Sequence, residues 1–289
     1  RYGAARRHHL CARTLLLKPA IVTKPLRIIH CFRSPVGGIF RHVRDLVAAQ
    51  AAAGHQVGII CDTSTGGQLE DAYFDEIRDS LALGIRRVTI HRHIGIGDIA
   101  AGWRTYKFIK ELRPDVLHGH GAKGGALARL FGSLLRVSRY RVARLYSPHG
   151  GVLHYDATTA KGRILFAIER LLARFTDHIL FVSEHERTTF FTKVGRPATA
   201  SSLVYNGVND GEFVPVPAKP DAADFLYIGM MRDLKGPDIF IEAIAGASKA
   251  LDRQLTGVMV GDGADLPRYV KQAQQLGLGE AIRFLPPMP

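Results

Sequence analysis

Residues Phe225–Ile244 read FLYIGMMRDLKGPDIFIEAI. A short apolar run ends at Gly229, two methionines follow, and Arg232 and Lys235 stand three residues apart before Gly236 and Pro237. The run Phe225–Ile228 predicts a buried strand. Phe240, Ala243, Ile244, Ala247 and Leu251 then recur at helical spacing, which predicts a helix over Pro237–Leu251. Pro237 suits the first helical turn, and Asp238 suits the positive end of the helix. Such an Arg-x-x-Lys loop, taken alone, is more often a solvated turn. Between a strand and a helix, two fixed cations beside free amide groups make a site for a diphosphate.

The same grammar extends in both directions. Downstream, strands are expected over Leu255–Val260 and Ala281–Leu285, with a helix over Ala264–Gln275 between them. Upstream, LRIIHC and HQVGIIC (Leu26–Cys31 and His55–Cys61) are strand candidates, as are 87–90, 115–118, 140–146, 178–182 and 202–204. Helices are expected after Gly38 and over 69–80, 98–112, 123–135, 161–175 and 184–193. Strands separated by helices imply crossovers and a mostly parallel sheet, whose ligands sit at the carboxyl ends of the strands. The rhythm breaks at NGVNDGEFVPVPAKPDAA, which is rich in Pro, Gly, Asp and Asn. The expected organisation is a basic extension over 1–24, disordered; an α/β domain over 25–205; a linker over 206–223; and a second α/β domain over 224–289, incomplete in length.

The chain has 289 residues, 46% hydrophobic and 22% charged, which is globular composition sufficient for two domains. No apolar run reaches the roughly 18 residues a membrane-spanning helix needs. Three widely spaced cysteines, Cys11, Cys31 and Cys61, fit neither a zinc pattern nor a disulfide framework, and point to a reducing, cytoplasmic compartment. The net charge is +13. Residues 1–24 contribute Arg1, Arg6, Arg7, Arg13, Lys18 and Lys24 and no acid, so the remainder carries 13 − 6 = +7. That opening stretch has transit-peptide composition, but reads better as upstream or misassigned sequence attached to a fragment. A second acid-free block, Val116–Tyr155, holds Lys123, Arg129, Arg136, Arg139, Arg141 and Arg144 and could meet phosphate, anionic lipid or nucleic acid.

Several other loops follow strand candidates. SPVGG places Gly37 and Gly38 before a helix, where backbone can approach a ligand closely. VGDGADL (Val260–Leu266) repeats the strand, glycine loop and helix order without being a dinucleotide fingerprint, and GHGAKGG (Gly119–Gly125) lacks the Gly-Lys-Ser/Thr of a phosphate loop. Lys123 within it reads as a solvated lysine. His149 in LYSPHGG sits at a strand end between small residues, a position that favours a ligand contact over a purely structural role. His118 and His120 lie at a neighbouring strand end. They and the pair His91 and His93 lack nearby acids or cysteines and are read as non-metal sites. No Asp-x-Asp occurs, so no carboxylate pair is apparent for a divalent ion carrying a nucleotide.

PVGGIFRHVRDLVAAQAAAGHQV, DVLHGHGAKGG, SPHGG, FVSEHER, VYNGV, YIGMMRDLKGPDIFIEAI, MVGDGADLPRY and IRFLPP occur in that order. In order and spacing they resemble the group 1 glycosyltransferases, the retaining family 4 of the GT-B fold. The likeness runs from about Leu26 to the last residue. It implies two Rossmann-like parallel-sheet domains facing a cleft, a nucleotide-diphospho-sugar donor on the second and an acceptor on the first. It implies that Arg232 and Lys235 hold the donor diphosphate and stabilise the leaving group, and that Gly37 and Gly38 face that phosphate. It implies that His149 contacts the sugar near the reacting carbon, with His120 a further substrate-binding candidate. Gly229 and Gly261 would admit the donor, the loop near Phe284–Pro286 would bracket the base, and Asn206 would mark the crossing between domains. Ser183 and Glu184 match a motif without a definite role. No cofactor and no metal are expected, because fixed cations and helix-end amides stabilise charge developing on the departing diphosphate.

The family's Glu-x7-Glu motif is not present before Pro289, and IRFLPPMP closes just after a strand candidate. The expectation is a fragment cut inside the second domain, with part of the donor site absent. The function expected of the parent is transfer of a sugar from a nucleotide-diphospho-sugar to a glycan or lipid-linked acceptor in cell-envelope polysaccharide synthesis. The alternatives are a GT-B nucleotide-sugar epimerase and a non-catalytic basic binding protein. No nucleic-acid module accompanies the basic blocks, so nucleic acid is not an expected partner. LARLFGSLLRVSRYRVARL (Leu127–Leu145) and RILFAIERLLARF (Arg163–Phe175) mix Arg with apolar residues. They read first as core helices with basic outer faces, and second as a peripheral contact with an anionic membrane at the inner face of the cell membrane.

Overall fold

The computed structural model describes residues 24–89 and 96–288, the side chains at 96–101 and at 210 excepted. The chain divides into two compact units, Arg1–Gly207 and Val208–Pro289.

The first unit alternates strand and helix as the apolar pattern requires: β1 (Arg27–Cys31), α1 (Gly37–Ala52), β2 (Gln56–Asp62), α2 (Gln68–Glu76), β3 (Gly84–Val88), α3 (Ile96–Leu112), β4 (Val116–His120), α4 (Gly121–Val137), β5 (Ala143–Ser147), α5 (Ala160–Ala173), β6 (His178–Phe181), α6 (Glu184–Lys193) and β7 (Ala200–Leu203). The strands form one sheet in the order β3-β2-β1-β4-β5-β6-β7, and the pairings are parallel. Strand order reverses between β1 and β4, which opens a crevice at their carboxyl ends. The period-two pleat sends alternate residues to opposite faces. Phe40, Val43 and Val47 of α1 pack with Val57, Ile59 and Phe74 on one face. Ile109 of α3 and Ala128 and Leu135 of α4 pack with Ile29, Ile60 and Leu117 on the other. Burial of one such side chain stabilises the fold by roughly 1.5–3 kcal/mol.

The second unit holds β8 (Phe225–Ile228), α7 (Pro237–Ala250), β9 (Gly257–Val260), α8 (Leu266–Gln275) and β10 (Ile282–Leu285), with parallel strands ordered β10-β9-β8. Both helices pack on one sheet face, where Ile241, Ile244, Tyr269 and Ala273 meet Met259 and Ile282. The other face presents Leu226, Ile228, Val258 and Val260 along an open groove. Residues 214–224, within the second unit and before β8, carry no helix or strand.

Several elements differ from the sequence expectation. The third strand lies at 84–88 rather than 87–90, because Leu83 and Gly84 are hydrogen-bonded alongside Val57 and Gly58 and set the register. GHGAKGG is not a loop: α4 begins at Gly121, directly after β4, and Lys123 lies in its first turn. The absent Cβ of Gly124 lets α4 press onto β1, since a Cβ there would stand 2.2 Å from the Cys31 carbonyl oxygen. The basic block is not a free cationic face either. Arg129 is fully buried and donates to Glu169 at 2.6 Å, and its guanidinium stacks on Tyr146 at 3.8 Å. Arg144 and Arg136 both donate to Asp177. The acids that neutralise the block come from later in the chain. Conversely Leu130, Leu134 and Val137 of α4, and Ile164, Ile168 and Leu171 of α5, are exposed. The outer faces of these helices are therefore more apolar than basic.

Candidate functional site

In the second unit the chain leaves β8 through Gly229, whose amide donates to the Val260 carbonyl at 3.0 Å. Arg232 is extended, Asp233–Lys235 forms a single 3-10 turn, and Gly236 takes φ 68° before Pro237 starts α7. The Tyr227 hydroxyl donates to the carbonyls of Met230 (3.1 Å) and Lys235 (3.4 Å), holding both ends of the loop. Asp233, the acid between the cations, is turned away: it accepts from Arg268 and from the Tyr269 hydroxyl, the latter at 2.9 Å, and these bonds hold its carboxyl below its usual range. Arg232 and Lys235 are exposed, and neither side chain pairs with an acid among the described residues. Asp238, at the start of α7, keeps one buried carboxylate oxygen without a hydrogen-bond partner. The result is a loop with two uncommitted positive charges at a helix N-terminus, the arrangement that receives anionic oxygens.

Gly261 answers for the loop's shape. Its φ is 151°, and a Cβ there would stand 1.9 Å from the Gly229 carbonyl oxygen. The two glycines therefore pack against each other, which brings the loops after β8 and β9 together. Phe284 lies within β10, as the strand expected over Ala281–Leu285 has it, and packs half-buried against the unit's core rather than in the loop that the resemblance implied. Asn206 is exposed, just before the division between units.

In the first unit the strand ends carry a cluster that sequence reading did not assemble. Parallel register sets His30 of β1 beside His118 of β4, and His120 points to the same face two residues on. His42 reaches in from α1, and His149 from the loop after β5. His30 Nδ1 and His120 Nε2 are 3.0 Å apart, and His120 Nδ1 and His149 Nε2 3.1 Å. His30 Nε2 bonds Gln50 Oε1 at 2.9 Å, and His118 Nε2 bonds Ser147 Oγ at 2.9 Å. Burial lowers the pKa of His30 and His149 to about 4, and lowers those of His42, His118 and His120 too. The five imidazoles are therefore neutral at pH 7.

His149 has φ 49°, followed by Gly150 (75°) and Gly151 (39°), three successive residues in the left-handed region. A non-glycine residue held there carries backbone strain, as Arg113, Arg139 and Asp252 also do. Glu186 secures the loop: buried, it accepts from the Gly150 amide at 2.6 Å and the Val182 amide at 3.0 Å. Burial raises its pKa, against those two hydrogen bonds. Ser183 caps α6 by accepting from the Glu186 amide, and Glu184 makes only an exposed pair with Arg187. In FVSEHER the residue that touches the site loop is thus Glu186. Gly37, at φ 64°, and Gly38 open α1, with free space where a Cβ would project. His91 and His93 lie outside the described residues, as does Cys11.

Residues 36–212 match the family described as Glycosyltransferase Family 4, and residues 210–289 match Glycosyl transferases group 1. The chain belongs to the group 1 glycosyltransferases. A glycogen synthase of Mycobacterium tuberculosis is 23% identical to this group 1 chain over 274 residues, 86% of the chain and 64% of the relative. The chain thus spans about two thirds of that relative's length. Among solved structures, Anabaena HepE in complex with UDP and glucose matches 91% of this chain and 70% of its own, with 17% identity and a TM-score of 0.68. A UDP-N-acetylglucosamine 2-epimerase matches 92% of this chain and 70% of its own, with 11% identity and a TM-score of 0.56. At such identities these two establish a shared fold, the GT-B arrangement of parallel α/β sheets.

Proposed function

We propose that the protein to which this chain belongs transfers a sugar from a nucleotide-diphospho-sugar, and that Arg232 and Lys235 bind the donor's diphosphate. The observation that carries this reading is the pair's isolation: Asp233 is occupied by Arg268 and Tyr269, leaving two exposed cations beside the N-terminus of α7. Departure of a nucleoside diphosphate builds negative charge on its oxygens. Cations and amide dipoles already in place stabilise that charge without reorganisation. The same logic makes a divalent ion dispensable, so the reading includes metal independence and no cofactor. HepE, a solved structure of the same fold, holds UDP and glucose, which supports the donor class. His149 is the proposed contact to the sugar, and its place in the loop after β5, at the strand's carboxyl end, supports that role. Gly37, Gly38, Gly229, Gly261, His120, Asn206 and Phe284 remain proposed substrate-side positions. The packing of Phe284 into the core weighs against its touching the base.

Retention of anomeric configuration and a role in cell-envelope polysaccharide synthesis, on a glycan or lipid-linked acceptor, complete the proposal by family likeness. No helix among the described residues is long and apolar enough to cross a membrane. A cytoplasmic protein touching the anionic inner face of the cell membrane fits the exposed leucines and isoleucines of α4 and α5. Sedimentation with anionic liposomes tests that contact, and absence of pelleting removes it. An epimerase is the second reading, because an epimerase shares the fold. Product analysis with donor alone separates the two: an epimerase yields a new nucleotide-sugar without acceptor, whereas a transferase requires acceptor or releases free sugar.

A further inference from the structure

We propose that His42, His120 and His149 form a binding site for a divalent transition-metal ion of the zinc class. With the Gln50 amide oxygen facing His30, the hydrogen-bond chain sets the tautomers. Gln50 Oε1 only accepts, so His30 Nε2 carries a proton and donates to it. His30 Nδ1 is then an acceptor for His120 Nε2–H, which leaves His120 Nδ1 as a lone pair aimed at His149 Nε2, 3.1 Å away. Two nitrogens bound to one tetrahedral zinc at about 2.0–2.1 Å lie roughly 3.3 Å apart, so this pair already has the spacing of two ligands. His42 completes the set: one nitrogen from each of the three lies within 4.8 Å of the others. Binding needs the His149 proton to shift from Nε2 to Nδ1, a turn of the two rings so that their lone pairs converge on one point, and an inward movement of His42 from within 4.8 Å to ligand spacing. Behind His120 the His30–Gln50 pair orients the imidazole, as an outer shell does for a metal-ligating histidine.

A second trio, His30, His118 and His120, also meets the distance criterion. It is wholly buried, and its ring nitrogens already bond one another, Gln50 and Ser147. An ion there would break those bonds and would have no way in. His42 and His149, by contrast, are partly exposed, so an ion can enter from solvent and keep a fourth position for water or an anion.

An ion held by His149 would exclude the sugar that His149 is proposed to contact. This consequence rests on the proposed function; the binding itself does not. Cobalt(II) is the probe, titrated at pH 7 into the whole chain after chelator treatment and buffer exchange. One equivalent of the visible absorption of a tetrahedral, nitrogen-rich site is expected, bleached by zinc. His42→Ala is expected to weaken binding at least tenfold, and His42→Cys to restore it with a thiolate band, while His185→Ala, on exposed α6, leaves it unchanged. Circular dichroism confirms that each variant is folded. No visible band at equimolar cobalt, or the same affinity in His42→Ala, overturns the site. If cobalt binds as described but leaves donor turnover unaffected, the site stands and the sugar role of His149 falls.

Discussion

In the first unit five histidines from β1, α1, β4 and the loop after β5 turn toward one another, and burial keeps them neutral. In the second unit Arg232 and Lys235 stand exposed three residues apart, uncommitted to any acid among the described residues. The first arrangement is long-range and enters the fold's stability. The second is local and contributes little to folding, because exposed cations keep their hydration in the folded and unfolded chain alike. Substitution should therefore separate them: loss of stability with the histidines, loss of function without loss of stability with the cations.

The largest expected effect falls on the second unit. Arg232→Ala combined with Lys235→Ala should lower donor turnover roughly a thousandfold, by removal of two charge-assisted contacts, with an unchanged melting curve. A lowered melting temperature would show that the loop contributes to the fold after all. Next comes His30→Ala, measured by urea denaturation. It removes a buried ring and strands Gln50 and His120, so a loss of about 2–4 kcal/mol is expected. A loss below about 0.5 kcal/mol would contradict the hydrogen-bonded cluster.

Titration provides a smaller, graded test. The folded pKa of His30 is about 4 against an ordinary 6.5, so between those values the unfolded chain binds a proton that the folded chain excludes. Stability conferred by the neutral form is complete above pH 6.5 and falls as pH drops towards 4, by roughly 1.4 kcal/mol per pH unit for each such histidine. Urea midpoints measured with chelator present should decline across that window, and a flat profile would contradict neutral burial. The smallest effect belongs to Glu184→Ala, which should shift stability by less than about 0.5 kcal/mol because its pair with Arg187 is exposed. Glu186→Ala, two residues on, should cost clearly more, since it leaves the Gly150 and Val182 amides unsatisfied.

The same contrast explains what sequence could reveal. Phe225 to Asp238 is a contiguous strand, loop and helix start, so its cations and their setting were legible from local pattern. The alternation of strands and helices gave the parallel sheets for the same reason. The histidine cluster spans residues 30 to 149 and depends on β1 pairing with β4 in one register, which periodicity does not specify. One signal was available: His30 interrupts the apolar run RIIHC, and a histidine inside a buried strand needs partners. Arg129 was misplaced on an outer face because Glu169, its partner, lies 40 residues away on another helix. Phe284 falls within the strand expected over Ala281–Leu285, so the base-bracketing loop that the resemblance implied near Phe284–Pro286 can begin only after Leu285.

The central claim is that the exposed cation pair binds a diphosphate, and titration of UDP into the chain by calorimetry tests it most directly. The parent chain and His30→Ala should bind UDP alike wherever the latter is folded. Arg232→Ala with Lys235→Ala should bind at least a hundredfold more weakly, and the parent's affinity should fall as salt is raised. Equal affinity in the parent and the double variant would contradict the account.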